Sequence, residues 1–140
     1  FAGIETADAI LIIGSHVRWE APLVNVRLRK AAKRGAKVFV VGPEWDATYP
    51  TTFLGNDLAV LGKLPKDAAD AFDKAERPAL ILGGAALGKG ALGAAMSLAS
   101  KLGVVKDGWN GFNVLHMAAS RMGGLMLGYA QPGGIADLAR

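Results

Sequence analysis

Three short apolar runs stand out along the chain, and each is followed directly by a glycine: Ala9–Ile13, Lys37–Val41 and Ala79–Leu82. Nearly continuous apolar runs of this length are typical of parallel strands that are covered on both faces. Segments with helical spacing lie between them, and the alternation of strand and helix predicts an α/β domain with right-handed crossovers. We therefore expect residues 1–140 to form a single Rossmann-like, three-layer domain with a mainly parallel sheet.

Helical spacing is clearest in the segment from Pro22 to Gly35. Proline suits the first turn of a helix, where its missing N–H costs nothing, and glycine suits the left-handed position after the last turn. The buried stripe of this helix is predicted to be Val24, Leu28, Ala31 and Ala32. Further helices are expected over 57–63, 66–75, 90–102 (with Leu92, Met96 and Ala99 buried) and 114–127, and loops over 44–56 and 104–112.

Composition narrows the possible functions. The 140 residues include no cysteine, which excludes a disulfide framework, a thiolate zinc site and a cysteine-ligated iron–sulfur cluster within this sequence. No apolar run approaches the roughly 20 residues of a membrane span, so direct membrane insertion is not expected. The chain starts at Phe1 and stops at Arg140 without a targeting signal, and we interpret it as a fragment of a longer protein.

The net charge is +4 and the pI is about 9.6. Aromatic residues make up only 7% of the chain and are not interleaved with a basic run, so a nucleic-acid partner is not expected. Several cations fall instead in the last turns of the first predicted helix, where they face the negative end of its dipole. A solvated or subunit-facing basic surface is the favoured interpretation.

The segment Gly83–Gly90 matches the Gly-x-x-x-x-Gly-Lys pattern of a phosphate-binding loop, between a strand and a predicted helix. The residue after Lys89 is Gly90 rather than the Ser or Thr that would hold magnesium, and no strand ends in the aspartate that completes such a site. Phosphate binding here stays an alternative to a simple turn.

The loop after the first strand is the second candidate site. A dinucleotide fingerprint requires three spaced glycines, and Gly14 is the only one present. His16 lies at the carboxyl end of a strand, where sites of α/β proteins are found, whereas Ser15 has no evident base. Glu44 follows the second strand and could bind a ribose. His116 is expected on an apolar helical face as a hydrogen-bonded structural residue.

Aromatic and charged residues near these loops leave two interpretations open. Trp45 and its aromatic neighbours in the loop over 44–56 could anchor an interface or cover the core. Glu20 is close to a helix N-terminus, where a carboxylate is favoured by about 0.3–1 kcal/mol, and an ion pair or docking contact is expected for it and Arg18.

Several blocks in order resemble the large iron–sulfur subunit family of NADH:quinone oxidoreductase, respiratory complex I. They are Ala7–Gly14, Glu20–Leu23, Arg27–Lys30, Gly35–Gly42 and Asn113–Met117. The corresponding part of that subunit is similar to molybdopterin oxidoreductases, which implies a molybdopterin oxidoreductase-like fold.

In molybdopterin oxidoreductases the first strand is commonly followed by Gly-x-Asn-Pro and the second by Asp-Pro-Arg, which help to hold the pterin nucleotide. Here the first motif reads Gly14-Ser15-His16-Val17 and the second reads Gly42-Pro43-Glu44. The exchange of arginine for Glu44 would repel an anionic nucleotide. The resemblance therefore implies a vestigial pocket at Gly14, Ser15, His16 and Glu44 whose cofactor contacts are lost.

The resemblance further implies a non-catalytic scaffold domain that binds no cofactor itself. Its parent complex would transfer electrons from NADH to quinone, coupled to ion translocation, with 2Fe-2S and 4Fe-4S clusters in the N-terminal part of the parent subunit. Other subunits of the hydrophilic arm would be its partners, peripherally at the cytoplasmic face of a bacterial inner membrane. A nucleotide-phosphate-binding domain using Gly83–Gly90 and an active molybdopterin-binding domain are the alternatives.

Overall fold

A five-stranded parallel sheet lies at the centre of the computed structural model, which describes residues 3–128. The strands of the chain are β1 (Ala9–Ile13), β2 (Lys37–Val41), β3 (Thr52–Phe53), β4 (Pro78–Leu82), β5 (Val105–Lys106), β6 (Trp109–Asn110) and β7 (Phe112–Val114). The central sheet has the order β3-β2-β1-β4-β7, and each adjacent pair in it is parallel. Strands β5 and β6 form a separate antiparallel pair. The predicted parallel α/β sheet is confirmed.

Helices cover both faces of the sheet. They are α1 (Val17–Glu20), α2 (Pro22–Lys33), α3 (Lys66–Asp73), α4 (Gly84–Gly88), α5 (Leu92–Lys101) and α6 (Arg121–Met126), with 3-10 turns at Ile4–Thr6 and Leu58–Gly62. The longest of them, α2, has 12 residues. Within residues 3–128, no helix has the length and apolar character needed to cross a bilayer.

Alternate side chains of the strands enter two separate cores, because successive residues of a strand point to opposite faces. Leu11 and Leu80 pack in the layer that holds Phe72 of α3 and Leu98 of α5. Ile10 and the other buried side chains on the opposite face of the sheet pack in the layer of α2. All five residues of β1 and all five of β4 are buried, which explains why their sequences read as unbroken apolar runs.

The buried stripes of two helices differ from those predicted. In α5, Ala99 is buried as expected, but Leu92 and Met96 are 42% and 57% exposed. Ala95 and Leu98 take the inner positions instead, since an alanine-rich stripe packs closely against the sheet and turns the larger residues outward. In α2, Leu28 and Ala31 are buried, whereas Val24 and Ala32 are only half-buried.

The expected helix over 114–127 was wrong at its start. Phe112–Val114 pairs with Leu80–Leu82 as the last strand of the sheet, and the helix covers only Arg121–Met126. Pairing with the free edge of β4 overrides the local helical spacing. For the same reason the expected loops over 44–56 and 104–112 contain the short strands β3, β5 and β6.

The long loop after β2 covers the α2 layer. Trp45 and Ala47 are buried there, which favours the core-covering interpretation of this loop for Trp45. The Tyr49 hydroxyl donates a 2.8 Å hydrogen bond to Oδ1 of Asn25, a buried polar residue of α2. Burial raises the pKa of Tyr49 above its ordinary value.

Replacement of Tyr49 by phenylalanine tests this anchor. At about pH 8 the Tyr49→Phe variant should lose about 1–3 kcal/mol of unfolding free energy, because the Asn25 oxygen loses its donor. Because the pKa of Tyr49 is raised in the folded state, its hydroxyl ionises first in the unfolded chain, above about pH 10. The wild type therefore loses unfolding free energy as pH rises, whereas the phenylalanine variant has no such group to ionise. The difference between the two proteins, measured by urea unfolding, should therefore shrink at about pH 11. The control is Phe53→Leu, whose difference in stability from the wild type should not change between these pH values. A constant difference for Tyr49→Phe as well would contradict the assignment.

Candidate functional site

The candidate site lies where the chain changes direction across the sheet. From β1 the chain proceeds outward through β2 to β3, and from β4 it proceeds outward on the other side to β7. The carboxyl ends of β1 and β4 therefore form the switch point, the usual position of a ligand in an open α/β sheet. The loops that follow these two strands, Gly14–His16 and Gly83, decide what this position can hold.

The two loops are in direct contact. The Gly83 N–H donates a 2.8 Å hydrogen bond to the carbonyl oxygen of Ile13, the last residue of β1. A Cβ atom on Gly83 would overlap the Gly14 carbonyl oxygen and the Ser15 side chain. Gly14 has a φ of +59°, and a Cβ atom there would overlap Ala86. The space between the strand ends is thus filled by the protein's own backbone.

A carboxylate occupies the entrance of the first helix. Glu20 accepts a 2.8 Å hydrogen bond from the Ser15 hydroxyl and a 3.0 Å bond from the His16 N–H. Ser15 is buried, so the pair is partly shielded from water. An acid in the first turn of a helix is the one signal in the sequence that indicates this role. The sequence interpretation gave Glu20 an ion pair or docking contact and did not include it among the site residues.

The ring of His16 is held between two tryptophans. It stacks on Trp45 with ring centres 4.7 Å apart, and meets the edge of Trp19 at 6.0 Å. Its Nδ1 atom is buried and has no hydrogen-bond partner among the described residues. The histidine therefore contributes mainly its ring face to the local packing.

An ion pair ties the loop after β2 to α1. Arg18 Nη1 lies 2.9 Å from Asp46 Oδ2, and it also donates to the Asp46 carbonyl oxygen. The Thr48 N–H donates to the other Asp46 carboxylate oxygen at 2.9 Å. The Thr48 hydrogen bond and the Arg18 charge hold the pKa of Asp46 below its usual value. Arg18 thus forms an ion pair as expected, but its partner is Asp46, whereas Glu20 accepts hydrogen bonds from Ser15 and His16 instead.

Two small cavities lie around these loops. One of about 150 Å³ is lined by Gly14, Ser15, His16, Glu20, Pro43, Trp45 and Ala85. The other, of about 210 Å³, is lined by Gly14, Val41, Gly42, Pro43, Asn56, Leu58, Ala85, Ala86 and Lys89. The structure thus brings three of the predicted residues together, but Glu44 is exposed and lines neither cavity.

These residues do not fit a pterin nucleotide. Each cavity is smaller than the 300–1,000 Å³ typical of small-molecule sites. The smaller one is lined by Glu20, whose carboxylate would repel a phosphate group and already accepts from the Ser15 hydroxyl and the His16 N–H. The carboxylate beside the cavity is therefore that of Glu20 and not that of Glu44, to which the sequence interpretation assigned the repulsion of an anion.

The Gly83–Gly90 segment differs from a phosphate-binding loop in the position of its lysine. Helix α4 begins at Gly84, and Lys89 follows its C-terminal end rather than standing near its start. The amides of Leu87, Lys89 and Gly90 donate to carbonyls of the same segment, so they are not available to an anion. The geometry favours the simple-turn interpretation of this motif.

Neither histidine belongs to a group of metal-binding side chains in the described part of the chain. Over residues 3–128, no three His, Asp or Glu side chains are grouped so that they could hold a metal ion. His116 follows β7 and is not on a helix, and its Nδ1 atom is buried without a hydrogen-bond partner among these residues. The expectation of a helical His116 was wrong, because the residues before it joined the sheet.

Comparison with known sequences agrees with this fold. The sequence matches the molybdopterin oxidoreductase family over residues 1–140. This chain belongs to the molybdopterin oxidoreductase family. Its parallel sheet with helices on both faces is consistent with that family.

Three curated relatives show where in the family the chain falls. It is 36% identical over 138 residues to the mitochondrial NADH-ubiquinone oxidoreductase 78 kDa subunit of Neurospora crassa, covering 93% of this chain and 18% of the relative. It is 36% identical over 135 residues to an NADH-quinone oxidoreductase subunit of Rickettsia typhi and to the NADH-ubiquinone oxidoreductase 75 kDa subunit of Reclinomonas americana, covering 91% of this chain and 20% of each relative. The chain thus spans about a fifth of the length of these relatives. The resemblance to this subunit family is confirmed.

A methyl group at the contact between the two loops should destabilise the fold. Gly83 has an ordinary backbone conformation (φ −92°), so Gly83→Ala tests steric overlap alone. We expect a loss on the order of 1–3 kcal/mol in urea unfolding. The matched control is Gly93→Ala in α5, where nothing lies within 4 Å of the new Cβ and stability should rise by roughly 0.5 kcal/mol. Equal effects of the two variants would contradict the close approach.

Removal of the Glu20 carboxylate should leave two donors without their acceptor. Glu20→Ala is expected to lower the unfolding free energy by roughly 1–3 kcal/mol, because the Ser15 hydroxyl is buried. Glu20→Gln keeps an oxygen acceptor and should lose about half as much. Thermal or urea unfolding measures both, and an alanine variant as stable as the wild type would refute the role assigned to Glu20.

Proposed function

We propose that this domain is a non-catalytic structural module in the large iron–sulfur subunit of an NADH:quinone oxidoreductase, and that it binds no pterin. The names of its relatives support the assignment to that complex. The observation that carries the structural role is the Glu20 carboxylate, which accepts from the Ser15 hydroxyl and the His16 amide at the switch point.

The physical argument concerns the donors at a helix entrance. In nucleotide-binding α/β domains, backbone amides at this position bind the anionic phosphate. Here an internal carboxylate supplies the negative charge, within the same chain and at no cost in association entropy. An incoming phosphate would have to displace Glu20 and separate the Gly14 and Gly83 loops, and both changes oppose binding.

The proposal assigns the chemistry to other parts of the parent complex. The parent would transfer electrons from NADH to quinone and couple this to ion translocation, with 2Fe-2S and 4Fe-4S clusters held by cysteines in the N-terminal part of the subunit. The chain has no cysteine with which to ligate such a cluster. The domain would pack against other subunits of the hydrophilic arm, peripherally on the cytoplasmic face of a bacterial inner membrane.

The test is a cofactor analysis of the intact complex that contains the full-length subunit. After acid release and oxidation, the fluorescence of pterin derivatives should correspond to well below one pterin per subunit. In a second measurement, magnesium and ATP or GTP are added to the complex at millimolar concentration. The melting temperature should stay unchanged in the wild type and in Lys89→Ala alike.

One pterin per subunit would favour the active molybdopterin-binding alternative and overturn the proposal. A rise in melting temperature with nucleotide that disappears in Lys89→Ala would favour the phosphate-binding alternative. Lys101→Ala, in α5, is the control for loss of a lysine outside the Gly83–Gly90 loop.

A further inference from the structure

Three large apolar side chains of the α1–α2 region point into solvent. Trp19 is 78% exposed, Leu23 is 80% exposed and Val26 is 52% exposed. Leu23 and Val26 are three residues apart on α2 and so share one face, and Trp19 precedes Leu23 by four residues. Clusters of exposed apolar residues of this kind mark interaction surfaces, and tryptophan is the residue most enriched at their energetic centres.

The exposed tryptophan is held in place by the residues of the candidate site. Its ring contacts the His16 ring edge to face, and His16 stacks in turn on Trp45, which is 8% exposed. A ring that is already ordered loses little conformational entropy when a partner covers it. The contact with His16 thus favours one orientation of the Trp19 ring, although most of its surface is in water.

The apolar cluster continues into a cationic one along α2. The helix carries no acidic residue, and its second half contains Arg27, Arg29, Lys30 and Lys33. Arg27 and Lys30 both lie within 4 Å of Glu5. Arg29 and Lys33 form no ion pair within the described residues, and both are exposed.

We propose that Trp19, Leu23, Val26, Arg29 and Lys33 form a docking face for another polypeptide, which presents an apolar pocket bordered by carboxylates. The apolar residues would fill the pocket, with Trp19 as the anchor, and the two cations would meet the carboxylates at its border. The inference rests on the proposed function, because it assigns a surface by which the structural module is held in a larger complex.

Charge and geometry distinguish this occupant from two others. A second copy related by two-fold symmetry would pair this face with itself, and the five residues of the face include no carboxylate to meet Arg29 or Lys33. A helix lying in a membrane surface needs an apolar face along its length. The apolar face of α2 is instead buried in the domain by Leu28 and Ala31, and only its first turns are apolar outside.

Site-specific photocross-linking in the purified, assembled complex tests the proposal. Leu23 of the full-length subunit is replaced by p-benzoylphenylalanine, and the cross-linked peptides are identified by mass spectrometry. The expected product joins position 23 to a different subunit, at a segment with apolar residues flanked by Asp or Glu. The same replacement at Met96, which is 57% exposed on α5 in the opposite layer, is the control and should not reach that segment.

Other products overturn the proposal. Cross-links from position 23 only to lipid, only to the same subunit, only to a second copy, or to a segment without carboxylates each contradict it, as does the absence of any cross-link. Pterin content is measured on the same preparation. A pterin-free complex without the expected cross-link refutes the docking face alone, whereas pterin in a complex with the cross-link refutes only the structural role.

Variants separate the anchor from its support. Trp19→Ala should speed dissociation of the subunit from the complex about 30-fold or more, as for a central interface residue. His16→Ala should speed dissociation less, and His16→Phe, which keeps a ring between the two tryptophans, should return the rate most of the way to that of the wild type.

Arg29→Glu combined with Lys33→Glu should lower the salt concentration at which the subunit dissociates, whereas Lys101→Glu should not. A Trp19→Ala subunit that dissociates at the wild-type rate would refute the anchor.

Discussion

The contact between the loops that follow β1 and β4 constrains everything at the carboxyl edge of the sheet. Gly83 approaches the Gly14 carbonyl more closely than any residue with a Cβ atom could, and Gly14 faces Ala86 in a left-handed conformation. Helix α1 begins at Val17, directly after the Gly14–His16 loop that Gly83 contacts. That start places Ser15 and His16 within reach of Glu20, four to five residues further on.

Loss of a ligand and retention of a rigid loop are compatible for a physical reason. Donors at a helix entrance need an acceptor when they are shielded from water, since an unpaired buried donor costs about 1–3 kcal/mol. A pterin nucleotide satisfies such donors only while it is bound. A carboxylate in the first turn of the same helix satisfies them permanently and interacts favourably with the helix dipole. Under the proposed function, this internal acceptor would let the fold persist without an anionic ligand.

The sequence was informative where structure is set locally or by full burial. Strands β1, β2 and β4 could be predicted because they are covered on both faces, and α2 could be predicted because Pro22 and Gly35 mark its ends. Strands β3 and β7 have two and three residues, and they exist because free edges of β2 and β4 pair with them. Such pairing depends on residues far along the chain, so helical spacing after Asn113 was misleading.

In the candidate site, too, the sequence predicted what is contiguous and missed what depends on the folded geometry. The replaced motif at Gly14, Ser15 and His16 was visible by comparison with the family pattern, since it is contiguous in sequence. The role of Glu20 depends on the turn geometry that brings its carboxylate back onto Ser15, and Glu44 stays outside the cavity because the chain after Pro43 carries Trp45 inward. Buried Trp45 then supports the His16 ring, and His16 supports exposed Trp19. Under the proposed function, His16 thus belongs both to the vestigial pocket and to the aromatic contacts beneath the docking face.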